Sequence, residues 1–351
     1  MIPLLFLLLF FSFFGSVVLT QFVRKLSFSK NILDDPNERA DKLQTKPIPL
    51  LGGVGFSVIC TILTIIVWIA KNNNLELQNT LAQNLIYPFH ILWIVVGLSV
   101  LLIGGIVDDI YTLKSKWILL YITVGISISV FLGGLKIETF SYPFDSLPIR
   151  IGLLPQILAF GWIMLCTAAT KFLDGHDGLV VSVGVISLLN IASIGLLPTV
   201  NQPLIVVISL IWASGIGSFL WQNFPEAKMY LGESGSEIIG FVIGVLSILS
   251  GAKIATSSVV VGWFVFDILL VFIIRFLNKK PLFTADSSHW HHRLQKLGMS
   301  KIQILVITIL IVLTSTHVGM NFGTGYKVIS VAIQPIIIIV IFLVGLRNNK
   351  L

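Results

Sequence analysis

The sequence predicts an all-α, polytopic integral membrane protein of about eleven transmembrane helices, and three observations carry that prediction. Of 351 residues, 56% are hydrophobic and only 11% are charged, whereas a soluble globular domain carries about 25% charged residues. Apolar runs of about 20 residues, long enough to cross a hydrocarbon core, recur along the whole chain. The polar connections between them are too short for a separate soluble domain, so residues 1–351 read as a single transmembrane domain.

The spans fall at 2–22, 51–70, 89–107, 117–133, 154–172, 179–197, 204–221, 237–250, 255–277, 302–320 and 328–346. The first of them lacks a basic leader and an A-x-A-like cleavage site, and its basic pair, Arg24 and Lys25, follows the apolar run. It therefore reads as a retained span rather than a signal peptide. Cys60 and Cys166 both lie inside spans, where they read as small packing residues and not as a disulfide. Between spans four and five, residues 133–152 alternate in polarity, break at Pro143–Asp145 and resume. That pattern predicts a small external β-hairpin.

Charge orients the chain. With the N-terminus outside and the C-terminus cytoplasmic, 18 of the 23 Lys and Arg border or lie in cytoplasmic segments, as the positive-inside rule requires. Of the 16 acids, only Glu76, Glu138 and Asp145 fall outside. Acids contribute little to that rule, so their excess on the cytoplasmic face asks for a chemical role.

Taken in order, the first cytoplasmic loop (34–56) is rich in turn residues and charges, and its Lys46, nearest the membrane, is a candidate phosphate contact. A solvated loop on lipid headgroups accounts for it equally well. Asp108 and Asp109 end the third span, and two adjacent carboxylates at a membrane boundary exceed what a helix cap needs. In "KFLDGHDGL" (171–179), Asp174 and Asp177 share a face if the stretch is helical, while a plain cap for the sixth span is the bland account. "LGESGSEIIGF" (231–241) supplies Glu233 and a Gly/Ser-rich turn suited to a phosphate at a helix N-terminus, or a cap from Ser234 or Ser236. The last cluster holds His289, His291, His292 and Arg293. Zinc is open as a reading, but the oxygen-rich surroundings favour a sugar diphosphate bound by Arg. Asp267 and Arg275 lie two turns apart on the ninth span, where they suit helix packing or the floor of a site. Carboxylates at one face favour magnesium bridged to substrate phosphates. Together with a basic rim and apolar grooves they point to phosphoryl transfer between a nucleotide-linked donor and a membrane lipid.

The order "PNER…KPIP..GG", "G..DD", "DG.DGL", "LG.SGS..IGF" and "FTADSSHWHHRL" resembles the polyprenyl-phosphate N-acetylhexosamine-1-phosphate transferases, glycosyltransferase family 4. That family includes the peptidoglycan translocase and the initiators of teichoic acid and O-antigen (lipopolysaccharide) synthesis. The resemblance runs from about residue 34 to 298. It implies a multi-pass protein of the cell (inner) membrane with a cytoplasmic-face site, in which Mg²⁺ (or Mn²⁺) assists. The implied donor is a UDP-amino sugar such as UDP-N-acetylglucosamine, the acceptor an undecaprenyl-type polyprenyl phosphate, and UMP is released. Carried over by position, Asp108, Asp109, Asp174 and Asp177 are the catalytic residues. His289, His291, His292 and Arg293 bind the sugar and diphosphate, and Glu233 and Asp174 hold the metal; Lys46, by its place in the first loop, and Lys171, as a fixed cation at the donor pyrophosphate, complete the substrate-binding candidates. A homodimer is compatible, and no nucleic acid is expected.

The chain departs from the family pattern at several places. Lys171 and Glu233 stand where Asn and Asp are usual and are associated with magnesium; Ala168, Gln44, Leu50 and Ser287 replace Asn, His, Arg and Arg. The paired changes predict that Lys171 and Glu233 form an ion pair where the metal usually sits. Two other readings stay open: a lipid-phosphate binder that has lost transfer, and a cation- or proton-coupled transporter. Transporters usually bind at the midplane between repeated halves, and no half-repeat is visible here.

Overall fold

The computed structural model describes residues 2–36, 46–73, 90–141, 146–148, 151–250, 254–277, 279, 290–321, 329–330 and 332–340. The chain forms two compact units, residues 1–137 with 151–251 and residues 138–150 with 252–351. The first unit carries α1 (Ile2–Ser29), β1 (Leu33–Asp34), β2 (Ile48–Pro49), α2 (Gly52–Asn73) and α3 (Ile91–Tyr111). It continues through α4 (Ser115–Ser127), extended by a π turn at Ile128–Leu132, to α5 (Leu154–Leu173), α6 (Leu179–Gly195), α7 (Pro203–Asn223) and α8 (Glu233–Leu249). Seven helices among the described residues are long and apolar enough to cross a membrane. The all-α, polytopic expectation holds.

The first unit is built around α8, whose residues from Ser234 to Leu249 are all buried. A helix apolar on every side belongs in the interior, and α8 packs against α5, α3, α2 and α6. The outer helices show the reverse of a water-soluble pattern. On α1, Phe6, Phe10, Phe14 and Phe22 are exposed, while Ser12, Ser16 and Thr20 are buried. Hydrocarbon gives no reason to hide phenylalanine, whereas small polar residues let helices approach and bond across the contact. Ser12 Oγ accordingly donates to Ile211 O at 2.6 Å on α7, and Trp162 Nε1 donates to Ser247 Oγ at 2.8 Å. Cys60 and Cys166 are buried free thiols, as expected.

Two helix boundaries differ from the sequence reading in ways that bear on the site. The third span continues past 107 to Tyr111, so Asp108 and Asp109 lie on its last turn. The eighth begins at Glu233 rather than 237. Local composition suggested a polar turn there, but a carboxylate from another helix caps the extra turn, as described below.

A backbone seam joins these ends. β1 pairs antiparallel with β2, Leu33 opposite Pro49. Tyr230 N then donates to Pro49 O at 2.9 Å, Gly52 N to Tyr230 O at 3.1 Å and Gly53 N to Leu231 O at 2.9 Å. The start of α2 is thereby held against the start of α8. At Gly53 an added Cβ would collide with the backbone of Gly235 and Ser234, so close approach of two backbones demands glycine there.

In the second unit, β3 (Thr139–Ser141) and β4 (Ser146–Pro148) form the expected hairpin, with Phe140 opposite Leu147. α9 (Ile254–Leu277), α10 (Trp290–Lys296) and α11 (Lys301–Asn321) follow, and 329–330 with 332–340 are helical. α9 packs on α11, and Gln334 Nε2 donates to Ser315 Oγ at 3.3 Å.

Gly53→Ala is expected to destabilise the protein by about 1–3 kcal/mol, the usual cost of overpacking a tight contact. A thermal unfolding midpoint in detergent unchanged from wild type would contradict that contact.

Candidate active site

Lys171 sits on the last turn of α5 and reaches inward to three carboxylates. Its Nζ donates to Glu233 Oε2, and to Glu237 Oε1 at 2.8 Å, and lies 3.7 Å from Asp108 Oδ2. The predicted Lys171–Glu233 ion pair is thus formed, in a larger group than the sequence suggested. Glu237 is fully buried, and its Oε1 also accepts from Tyr121 Oη at 2.8 Å. Four helices, α3, α4, α5 and α8, therefore meet at one ammonium. Glu233, with its side chain 39% exposed, is the member that faces out of the cluster.

Glu237 and Tyr121 escaped the sequence reading. An acid inside the apolar run "SEIIGFVIGV" was a usable signal, because intramembrane charges are functional candidates by default. Tyr121 carried no such mark.

The paired aspartates of α3 divide their work. Asp108 Oδ1 accepts from Leu113 N at 2.7 Å, closing its own helix, while Oδ2 faces Lys171. Asp109 caps α8: Oδ1 accepts from Glu233 N at 2.7 Å, and Oδ2 from Ser234 Oγ at 2.7 Å and Ser234 N at 3.2 Å. A carboxylate on orphan N–H groups at the positive end of a helix dipole is favourable on both counts. The cap thus comes from Asp109 and not from Ser234 or Ser236. Gly232, just before it, has φ +75°, and a Cβ there would lie 2.6 Å from Asp109 Oδ2, so only glycine fits.

The stretch "DGHDG" is a turn, not a helix, so Asp174 and Asp177 do not share a helical face. α5 stops at Leu173, and Gly178, at φ +75°, is the N-cap of α6. Neither aspartate caps α6; Asn223 Oδ1 takes Gly178 N at 2.9 Å. Asp177 is buried and its Oδ2 accepts from Ala227 N at 3.3 Å. Asp174 is half-buried. Its carboxyl is held well above the ordinary aspartate range, first by burial and then by the charges of Glu233 and Asp109. Tyr230, shifted upward by burial and by Asp177, Asp34 and Asp174, closes the other side.

Asp108, Asp109, Lys171, Asp174, Asp177 and Glu233 therefore gather at one end of the first unit. Lys46 is exposed ahead of β2. In the second unit, Arg293 is buried and His292 half-buried on α10, whose first residue, Trp290, donates its N–H to Asp267 Oδ1 at 3.1 Å. His289 lies outside the described residues, as does the side chain of His291; so do Gln44 and Ser287.

Residues 90–251 match the sequence profile of glycosyl transferase family 4. A probable undecaprenyl-phosphate N-acetylglucosaminyl 1-phosphate transferase of Bacillus subtilis is 30% identical over 298 residues, 83% of this chain and 77% of its own. The chain belongs to glycosyl transferase family 4. A phospho-N-acetylmuramoyl-pentapeptide-transferase of Borrelia hermsii is 24% identical to this family 4 transferase across 84% of its chain and 86% of the relative. A decaprenyl-phosphate N-acetylglucosaminephosphotransferase of Mycobacterium tuberculosis is 32% identical over 40% of each chain.

Whether the family 4 site fits a divalent ion can be asked of its donors. Among the described residues no three of His, Cys, Asp and Glu are grouped to hold a metal. Asp108, Glu233 and Glu237 do converge, but on the Lys171 ammonium. A second cation there meets direct repulsion at short range. The residues do not fit Mg²⁺ with Lys171 in place.

Removing the ammonium leaves buried carboxylates unpaired, which typically costs about 3–5 kcal/mol. Lys171→Met is expected to destabilise the transferase on that scale, and Lys171→Met with Glu237→Gln to recover part of the loss. A double-mutant cycle in thermal or denaturant unfolding that finds no coupling would rule out the buried pair.

Proposed function

We propose that this protein transfers N-acetylhexosamine-1-phosphate from a UDP-amino sugar to a polyprenyl phosphate at the cytoplasmic face of the cell membrane. This is the first membrane step of a cell-envelope glycan. The observation that supports it most is the meeting of Asp108, Lys171, Asp174, Asp177 and Glu233 from three separate stretches of sequence at one end of the helical unit. The relatives' names supply the substrates: undecaprenyl or decaprenyl phosphate as acceptor and N-acetylglucosamine-1-phosphate as the transferred group.

In the reaction a lipid phosphate oxygen attacks the sugar-bearing phosphorus of the donor. A P–O bond forms there, the pyrophosphate P–O–P bond breaks, and UMP leaves with the electron pair. The attacking phosphate is largely a dianion at neutral pH, since its second pKa is about 6, so little base catalysis is needed. Positioning and charge neutralisation carry the rate.

Lys171 supplies a fixed positive charge that keeps Glu233 and Asp108 oriented. Asp109 sets the first turn of α8 so that Glu233 faces the substrates. Asp174 and Asp177 line the opposite wall, which Ala227 N and Asn223 hold in shape. Lys46, His289, His291, His292 and Arg293 serve the phosphates and sugar, Arg293 by the bidentate contact that guanidinium makes with phosphate. Lys171 already occupies the convergence of carboxylates where Mg²⁺ or Mn²⁺ would sit.

A screen of UDP-sugars with purified protein and polyprenyl phosphate tests the reading. UMP release that needs both the lipid and one amino-sugar donor is expected. If none of the UDP-sugars yields UMP, lipid-phosphate binding is left as the function, and ion flux in proteoliposomes without UMP makes it a transporter. Asp174→Asn and Asp177→Asn are each expected to lower kcat/KM by about 10²–10³, the scale of losing one preorganised electrostatic group.

Metal dependence is a separate outcome. Transfer is expected to persist in EDTA with at most a few-fold loss. Strict, saturable dependence on Mg²⁺ in the wild-type protein would defeat the assignment of Lys171 as the resident cation.

A further inference from the structure

Away from the acidic cluster, the first unit holds a cation-lined cavity of about 430 Å³ between the end of α1 and the end of α7. Three cations line it: Arg24 and Lys25 from α1, and Lys228 from the loop after α7. Among the described residues none of the three is ion-paired, and no carboxylate lines the cavity. Arg24 donates only a long bond, 3.5 Å from Nη1 to Gln222 Oε1, and its buried Nε has no acceptor. Two of the cations rest instead on aromatic faces. Arg24 lies 5.9 Å from the ring centre of Phe28, and Lys228 5.5 Å from that of Trp221. Rings attract cations without neutralising them, so the cavity keeps a concentrated positive charge and an unused guanidinium donor.

Its position selects the anion. α1 carries a lipid-type surface, with Phe10, Phe14 and Phe22 exposed, directly up to Arg24. Trp221, 75% exposed, stands at the rim. Tryptophan at the end of an apolar helix marks the headgroup level of a bilayer, and Lys/Arg clusters just beyond a span attract anionic lipid. A soluble anion would use the cations and leave the apolar rim unmatched; a lipid phosphate uses both.

We infer that this cavity binds the phosphate headgroup of an anionic membrane phospholipid, as a site separate from the transfer site. Occupancy reaches the catalytic turn through the covalent loop. Lys228 N donates to Gln222 O at 2.7 Å, Asn223 Nδ2 donates to Met229 O at 3.2 Å, and Ala227 N holds Asp177. A headgroup bridging Arg24 and Lys228 ties α1 to the loop that positions Asp177. The inference does not depend on which sugar, lipid acceptor or metal the transfer uses.

Tryptophan quenching in the full-length protein tests it. Phosphatidylglycerol and phosphatidylcholine with brominated acyl chains are titrated into detergent micelles, and the Trp221 contribution is isolated by difference against Trp221→Phe. Half-quenching is expected at about tenfold lower mole fraction of phosphatidylglycerol. Lys25→Gln with Lys228→Gln should bring the two lipids level while the unfolding midpoint is retained. In the wild-type protein, raising salt from about 0.05 to 0.5 M should weaken the preference, since the screening length shortens several-fold. That arm is independent of any variant. Equal quenching by both lipids, or a preference that survives both salt and the double variant, overturns the inference. Displacement by millimolar inorganic phosphate overturns it in favour of a soluble anion. Displacement by polyprenyl phosphate or UDP-N-acetylglucosamine at concentrations far below the phospholipid makes the cavity part of the transfer site and overturns it too.

Discussion

A single ammonium, that of Lys171, is shared by carboxylates from α3 and α8, with a tyrosine hydroxyl from α4 completing the group. Glu237 has no exposure to water, and an isolated carboxylate so placed is among the most costly groups a protein can bury. The cost is bearable only with the cation and its hydrogen bonds in place. Sliding α5 along α8 by one residue, about 1.5 Å of rise, would break two of these contacts. The charge cluster therefore sets the register of the helices that carry the site, and the apolar packing around α8 fills in behind it.

A second constraint is backbone rather than charge. The strand-like pairing of 49–53 with 230–231 fixes where α2 and α8 begin, and Asp109 caps the same end of α8. Both put the first turn of α8 in one position, which is why Glu233 can be outward-facing while Glu237, four residues on, is buried. Gly53 and Gly232 are the places where this convergence leaves no room for a side chain.

The familiar arrangement for acids that serve phosphoryl transfer is a metal bridging carboxylate and phosphate. In the function proposed here the cation among the carboxylates is covalently attached. A lysine cannot exchange ligands as a metal does, but it stays in place without a partner from solution. The acids of the cluster are divided between structure (Asp109, Asp108 in part, Glu237), the outward-facing Glu233 and half-buried Asp174, and Asp177, which is buried against Ala227 N.

Much of this protein was legible along the chain because its physics is local. Runs of about 20 apolar residues mark spans wherever they occur, and the alternation at 133–152 marks the hairpin. The clusters at 108–109, 171–177 and 233 are anomalous in any apolar sequence, while the pairing of Lys171 with Glu233 was suggested only by their joint departure from the family's Asn and Asp. What the chain alone left undecided was partnership. That Asp109 caps α8 and not its own helix, that "DGHDG" turns instead of continuing α5, and that Glu237 and Tyr121 join Lys171 all depend on groups 45 to 125 residues apart coming together. Composition and periodicity decide that an acid lies near a membrane face. Only the packing of α3, α4, α5 and α8 decides which cation neutralises it, because that choice is made by distance in a medium where an unpaired charge is not tolerated.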